Sequence, residues 1–360
     1  MTASYETLTG GLTKSDEIKA EYKKFLGRKL LLILFSLVAI TLIGAVAATL
    51  GAYPITIIEV YSILFRGLFH YPETTAEIVV WNLRLPRIIM AILAGIGLAI
   101  AGTMMQGILR NPLASPFTLG ISSAAGFGAA LAILTGLGIF VGEYLVIANA
   151  FFFSLIPTFV ILGFTRYKRA TPETMILAGI AMSFIFSAAI SLLMFFAEPE
   201  AVKEAYFWMV GSLGRALWED IAPVFTILLV CVSLLMWKSW DLNVIGAGDE
   251  IAQSLGVNVE QSRKSIMIIA SLLTAGIISF TGTIGFIGLV SPHICRMLIG
   301  GDNRFLIPAS GVVGAALLLA ADTLARTVMA PIILPVGILT TTMGGPLFLY
   351  LLLRRTKEFW

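Results

Sequence analysis

Residues Asn82–Gly128 read NLRLPRIIMAILAGIGLAIAGTMMQGILRNPLASPFTLGISSAAGFG. The stretch opens with two arginines around a proline (Arg84, Pro86, Arg87) and enters an apolar run. Small residues recur along it at Ala91, Ala94, Gly95, Gly97, Ala99, Ala101 and Gly102. A polar, proline-broken turn follows, Arg110-Asn111-Pro112 to Ser115-Pro116, and then a second glycine-rich apolar segment begins. Lipid supplies no hydrophobic drive between helices, so membrane helices associate through close packing, which Gly and Ala permit. An apolar run with small faces, charged only at its ends, predicts a packed pair of membrane helices around which the chain is organised.

Working outward, 58% of the 360 residues are hydrophobic and 12% charged, against roughly 45–50% and about 25% in soluble domains. With a mean hydropathy of +0.95, the chain reads as an all-α polytopic membrane protein. Cys231 and Cys295 lie in apolar runs without metal or redox spacing, and read as buried small hydrophobes. A formal net charge of +3 gives no sign of a nucleic-acid partner. The polar residues 1–29 read as a cytoplasmic tail. The apolar run after them is longer than the core of a signal peptide, so it is expected to stay as the first span.

A span needs about 20 apolar residues. On that criterion helices are expected near 30–51, 86–108, 117–138, 145–165, 173–197, 220–239, 263–281, 285–299, 307–327 and 337–353, ten in all. Placing the N-terminus inside puts 18 of the 24 basic residues in internal connections and leaves six outside: Arg66, Arg84, Arg87, Lys203, Arg215 and Arg326. That bias is the positive-inside pattern. It predicts a multi-pass protein of the cell membrane with both termini cytoplasmic, a membrane domain over 30–354 and a short tail at 355–360.

The connections carry further expectations. Segment 52–81 is amphipathic and should lie along the outer surface, with His70 exposed. The loop 198–219 holds Tyr206, Phe207, Trp208 and Trp218, residues that suit the membrane interface. Inside, Thr171, Pro172 and Glu173 read as an N-cap, a first-position proline and an acid favoured by the helix dipole. The largest internal connection, 238–264, has at its centre a short helix from Gly248 to Gly256, acidic in its first turn and glycine-ended. A helix standing in an internal loop suggests a partner-docking element. Glycines 282, 285 and 288 break the next apolar run, and irregular backbone at membrane depth is tolerated only under protein or beside a water-filled cavity. His293, without ligands at metal spacing, reads as a structural hydrogen-bonder. Asp322 and Arg326, four apart, can pair on one helix face, although an arginine near a helix end also snorkels. Thr340, Thr341, Thr342, Gly344 and Gly345 give the last span a small, hydroxylated face.

Several chemistries are missing. The chain contains no GxxxxGK[ST] phosphate loop and no Gly-Lys pair, no HExxH, and no nucleophile–base constellation. It lacks the chain of membrane acids expected of a proton-coupled carrier and an inverted hydropathy repeat. Such a chain reads as a translocation path without its own engine, and not as an enzyme.

In order, LRLPR, NPLASP with ISSAAGFG, FWMVGSL, GDEIAQSLGV, GTIGFIGLVSPHICRMLIGGDNRFLIP, AADTLAR and LPVGILTTTMGGPLF are similar to the FecCD permease family. These are membrane subunits of ABC importers for iron–siderophore complexes, haem and vitamin B12. The resemblance implies a type II ABC importer permease fold of ten helices per subunit, assembled as a homodimer. Two cytoplasmic ATPase subunits, which carry the ATP and Mg, and an external substrate-binding protein would complete the importer, with no cofactor bound by this chain. It implies binding-protein docking at Arg84, Arg87 and Arg326, and an ATPase coupling segment over 246–258 with Asp249, Glu250, Ala252, Leu255 and Gly256. It also implies a cytoplasmic gate at Thr171 and Pro172. Many relatives carry an acid where Ile333 precedes Leu334-Pro335-Val336-Gly337, so the outer vestibule here is expected to be less charged. Rival readings are an ion-coupled secondary transporter, and import of molybdate or another oxyanion by the same architecture.

Overall fold

The computed structural model describes residues 27–353 apart from 52, 68, 141, 143 and 168–170. Lys168, Arg169 and most of the two expected tails therefore lie outside the described residues. The described chain is helical, with no strand. The helices are α1 (Gly27–Thr49), α2 (Ile57–Arg66), α3 (Thr75–Leu109), α4 (Ile121–Thr135), α5 (Leu145–Tyr167), α6 (Pro172–Phe196) and α7 (Pro199–Met209). They continue with α8 (Trp218–Trp237), α9 (Ser239–Gly246), α10 (Asp249–Ser254), α11 (Val259–Thr281), α12 (Ile287–Ile299), α13 (Asn303–Thr327) and α14 (Val336–Leu353).

All ten expected spans are helices. Seven of them, α1, α3, α5, α6, α8, α11 and α13, are long and apolar enough to cross a membrane. The helices α4 and α12 are shorter, with 15 and 13 residues. At 1.5 Å per residue they cover about three quarters and about two thirds of the hydrocarbon core, and irregular backbone adjoins both. The last helix, α14, has 18 residues.

Burial divides the helices into a core and a rim. The apolar windows of α3, α11 and α13 are 83%, 67% and 67% buried, whereas those of α1, α6 and α8 are only 11–22% buried. Apolar faces left exposed in this way suit a lipid surrounding, because lipid solvates Leu and Phe as well as protein does. The small residues of α3 act as expected. A Cβ on Gly95 would stand 2.6 Å from the Gly314 carbonyl of α13, and one on Gly102 would stand 1.7 Å from the Gly288 carbonyl of α12. Backbones therefore touch directly at both contacts. Between α5 and α11, the buried Thr158 hydroxyl donates to Ser271 Oγ at 2.8 Å.

The span expected to begin at Pro86 begins three turns earlier. Thr74 caps α3 in a reciprocal capping box with Glu77, and a π-helical segment, Val79–Arg84, precedes the proline. A proline inside a helix removes one hydrogen bond and crowds the preceding turn; the wider π-turn leads into Pro86 without ending the helix. Segment 52–81 is amphipathic as expected: α2 buries Val60 and Ile63 and exposes Ile58 and Phe65, and His70 is exposed. Trp81 donates to Ile63 O at 3.2 Å and binds α2 to α3. Trp218 is turned onto Trp81, donating to its carbonyl at 2.8 Å. The loop 198–219 contains α7, a helix that its mixed polarity concealed, and α7 buries Trp208.

Candidate functional site

A cavity of about 570 Å³ opens beside the break between α11 and α12. Its wall takes Leu98 from α3, Ser115 to Thr118 from the turn before α4, Met209 and Val210 at the end of α7, Thr283, Gly285, Phe286, Gly288 and Leu289 around the break, and Ile338, Thr341 and Thr342 of α14. Three irregular segments meet there and satisfy one another's peptide groups, as dry surroundings require. Ser212 N donates to Thr281 O at 2.9 Å and Gly337 N to Gly211 O at 3.3 Å, and the Thr283 hydroxyl donates to Met209 O. Side chains are excluded at the crossing. Gly211 and Gly282 hold φ of +77° and +70°, and a Cβ on Gly337 would lie 1.7 Å from Val210 O. Of the glycines that the sequence marked as a helix break, Gly285 and Gly288 line the cavity. Thr341 and Thr342 are exposed on it, while Thr340 is buried.

A second cluster gathers at the end of the bundle that holds α9 and α10. The Asp249 carboxylate, at the start of α10, receives Arg263 Nη1 and Nη2, each at 2.9 Å, and also Arg110. Arg263 further donates to Ile108 O at 3.2 Å, and Arg110 to Ile245 O. Arg110 is the left-handed C-cap of α3, with φ of +45°, a conformation that costs a non-glycine residue energy. One carboxylate thus joins α10 to the end of α3 and the start of α11. Ala252 is fully buried against Ile245 and Val259. Glu250 and Gly256 are exposed, as are Ile251 and Leu255. The five residues expected to act together therefore divide: Asp249 and Ala252 fasten the helix, and Glu250, Leu255 and Gly256 face out. The sequence presents Arg110 and Arg263 only as internal positive charge; their spacing from Asp249 carries no local signal, since Arg110 lies 139 residues away. Thr171 does cap α6, accepting from Thr174 N at 3.4 Å, with Pro172 at the first position. It is exposed and Pro172 half-buried.

At the opposite end Arg84, Arg87 and Arg326 converge, but not as outward-facing cations. They are 4%, 6% and 6% exposed. Arg84 donates to Ala48 O at 2.7 Å, to Thr49 O at 3.0 Å and to Tyr53 O at 2.5 Å, closing the end of α1. Arg87 grips Asp322 with a fork, Nε at 2.9 Å from Oδ2 and Nη2 at 2.8 Å from Oδ1. Arg326 pairs with Asp322 at 3.3 Å, as the four-residue spacing allows, and donates to Ala47 O at 3.2 Å. Asp322, at 0% exposure, gives its better geometry to the arginine of another helix. Ile333 is exposed. His293 is buried and has a partner. Among the described residues no three His, Cys, Asp or Glu gather to hold a metal ion. Both cysteines are buried.

The family model of the FecCD transport family matches residues 34–354. A protein of Methanocaldococcus jannaschii named as an ABC transporter permease is 45% identical, over 95% of this chain and 99% of its own. The hemin transport system permease of Yersinia pestis is 37% identical, over 90% of this chain and 96% of its own. A solved structure assigned to the metal-chelate type of ABC transporter, in an inward-facing conformation, superposes with a TM-score of 0.80 at 29% identity. It covers 90% of this chain and 99% of its own.

Proposed function

The chain belongs to the FecCD transport family, and from that premise we propose that it is the permease subunit through which an ABC importer carries a metal chelate inward. Iron–siderophore complexes, haem and cobalamins form the cargo class. The observation that carries the engine's side of this reading is α10. It is a short helix clamped at its base by Asp249 while Glu250, Ile251 and Leu255 face out. A chain without a nucleotide loop needs such a surface to receive work from another protein. Two ATPase subunits, which hold ATP and Mg, seat against this face in a homodimer of the permease, and both termini share their side of the membrane.

Closure of the ATPases displaces α10, and the Asp249 clamp passes the displacement to α3 and α11. Both of these contribute to the region around the cavity, and the cavity takes the cargo between its openings. Since no bond of the cargo changes, the wall needs only size, main-chain groups and a few hydroxyls. An external binding protein delivers the cargo at the arginine end, and Thr171 and Pro172 border the inner exit. The test is a tagged purification from gently solubilised native membranes, with mass spectrometry of the proteins and small molecules retained. Recovery of an ATPase and a substrate-binding protein supports the proposal, and the ligand of the latter names the cargo. Recovery of the chain alone, transporting in liposomes without ATP, overturns it.

A further inference from the structure

The arginine end contains more positive charge than it balances. Three guanidinium groups, Arg84, Arg87 and Arg326, meet there, and Asp322 is the one carboxylate paired with them among the described residues. Three cations less one anion leaves a formal charge of +2 on groups that are each at most 6% exposed. Burying unbalanced charge is expensive, and Arg84 offsets the cost with three carbonyls. Arg326 is worse served. Its Nε lies 3.3 Å from Asp322 Oδ2, yet it is buried without a hydrogen bond. Arg87 has taken both carboxylate oxygens, through Nε and Nη2. Two arginines therefore compete for one acid, and the loser is left short of an acceptor.

We propose that Asp322 is a lock, a positioning residue that holds Arg87 and Arg326 turned into the bundle until a carboxylate of the external binding protein displaces it. The inference rests on the docking reading of these arginines given above. An arriving acid draws Arg326 out first, because its buried Nε has no hydrogen bond to lose. As Arg326 engages the acid, the Asp322–Arg87 pair is the contact that remains to be exchanged. The two positive charges in excess of Asp322 supply the attraction, and Asp322 sets how much of it is spent within the chain. Docking strength is thus governed by a residue that the partner never touches.

The experiment uses the full chain in lipid nanodiscs and phenylglyoxal, which modifies accessible guanidinium groups, read at each arginine by mass spectrometry. In Asp322→Asn, labelling of Arg87 and Arg326 is expected to rise at least about tenfold, the weight of one charge-assisted hydrogen bond, while Arg263 stays constant as an internal standard. Capture of the co-purified binding protein is expected to strengthen and to become more sensitive to salt. Should that variant fail to fold, Arg87→Lys serves instead. Lysine cannot make the fork, Asp322 passes to Arg326, and labelling of Arg326 falls several-fold. Unchanged labelling in either folded variant overturns the lock, whatever happens to capture. Faster labelling with unchanged capture keeps Asp322 as the residue that restrains the arginines, removes its competitor and so refutes the docking reading alone.

Discussion

Replacing Gly102 by alanine tests the idea that close backbone contact holds this bundle together. The added methyl would stand 1.7 Å from Gly288 O and 2.5 Å from its carbonyl carbon. Ordinary contact begins near 3.4 Å, so α3 and α12 must separate by 3.4 − 1.7 = 1.7 Å at a place where both partners are main chain. No rotamer can relieve that clash. Overpacking in a well-filled core costs about 1–3 kcal/mol where side chains can adjust, and a backbone clash belongs at or beyond the upper end. Separation at Gly288 also shifts Leu289 and the neighbouring Phe286, both of which line the cavity. Thermal unfolding of the variant in nanodiscs is expected to fall well below wild type, and uptake with it. Gly163→Ala is the control: it lies in α5 with nothing within 4 Å of the new methyl. That change should stabilise by about 0.5–1 kcal/mol, the helix preference of alanine over glycine. If Gly102→Ala unfolds at the temperature of the control, backbone contact is not what fastens α3 to α12.

Three further outcomes are expected. Glu250→Arg and Leu255→Arg alter only the exposed face of α10, so the purified importer should fold normally and hydrolyse ATP without uptake; normal uptake by both would dismiss that face as the ATPase seat. Asp249→Asn strips the clamp from Arg263 and Arg110. With Asp249 itself 39% exposed, the cost is reduced by solvent to about 1–3 kcal/mol, and uptake should fall while association with the ATPase survives, as co-purification would show. The fork of Arg304 on Asp302, helped by Asn243, holds the Asp302 carboxyl well below the usual carboxylate range. A depressed carboxyl stabilises the fold above the unfolded-state value of about 3.9 and loses that contribution as pH falls below it. The stability difference between wild type and Asp302→Asn should therefore hold from pH 7 to about 5 and shrink below about 4; a difference independent of pH would contradict the pairing.

What was legible in the sequence was local. The apolar runs marked ten helices, seven of them long and apolar enough to cross a membrane, because twenty apolar residues have few other fates. Glycine spacing marked the break after Thr281, and Thr171 with Pro172 marked a helix start. The start of α3 was missed because Pro86 resembles a boundary, and nothing local announces that a π-turn will carry the helix past it. The inward turn of Arg87 was not legible either. Its partner Asp322 lies 235 residues away, and an arginine at a helix end looks the same whether it snorkels to water or finds a buried acid. Asp249 tells the same story: its acid character fitted a helix start, while its binding to Arg110 and Arg263 depends on three helices meeting.

Where Gly211, Gly282 and Gly337 meet beside the cavity, the segments touch through peptide groups, and peptide groups are the one part of a protein that substitution cannot rewrite. A lineage that changes its cargo has only the interspersed side chains to work with, Phe117, Met209, Phe286 and Thr341 among them. The frame is thus held by main chain while a short set of side chains is free to vary, so that one architecture can serve kindred chains whose cavities differ.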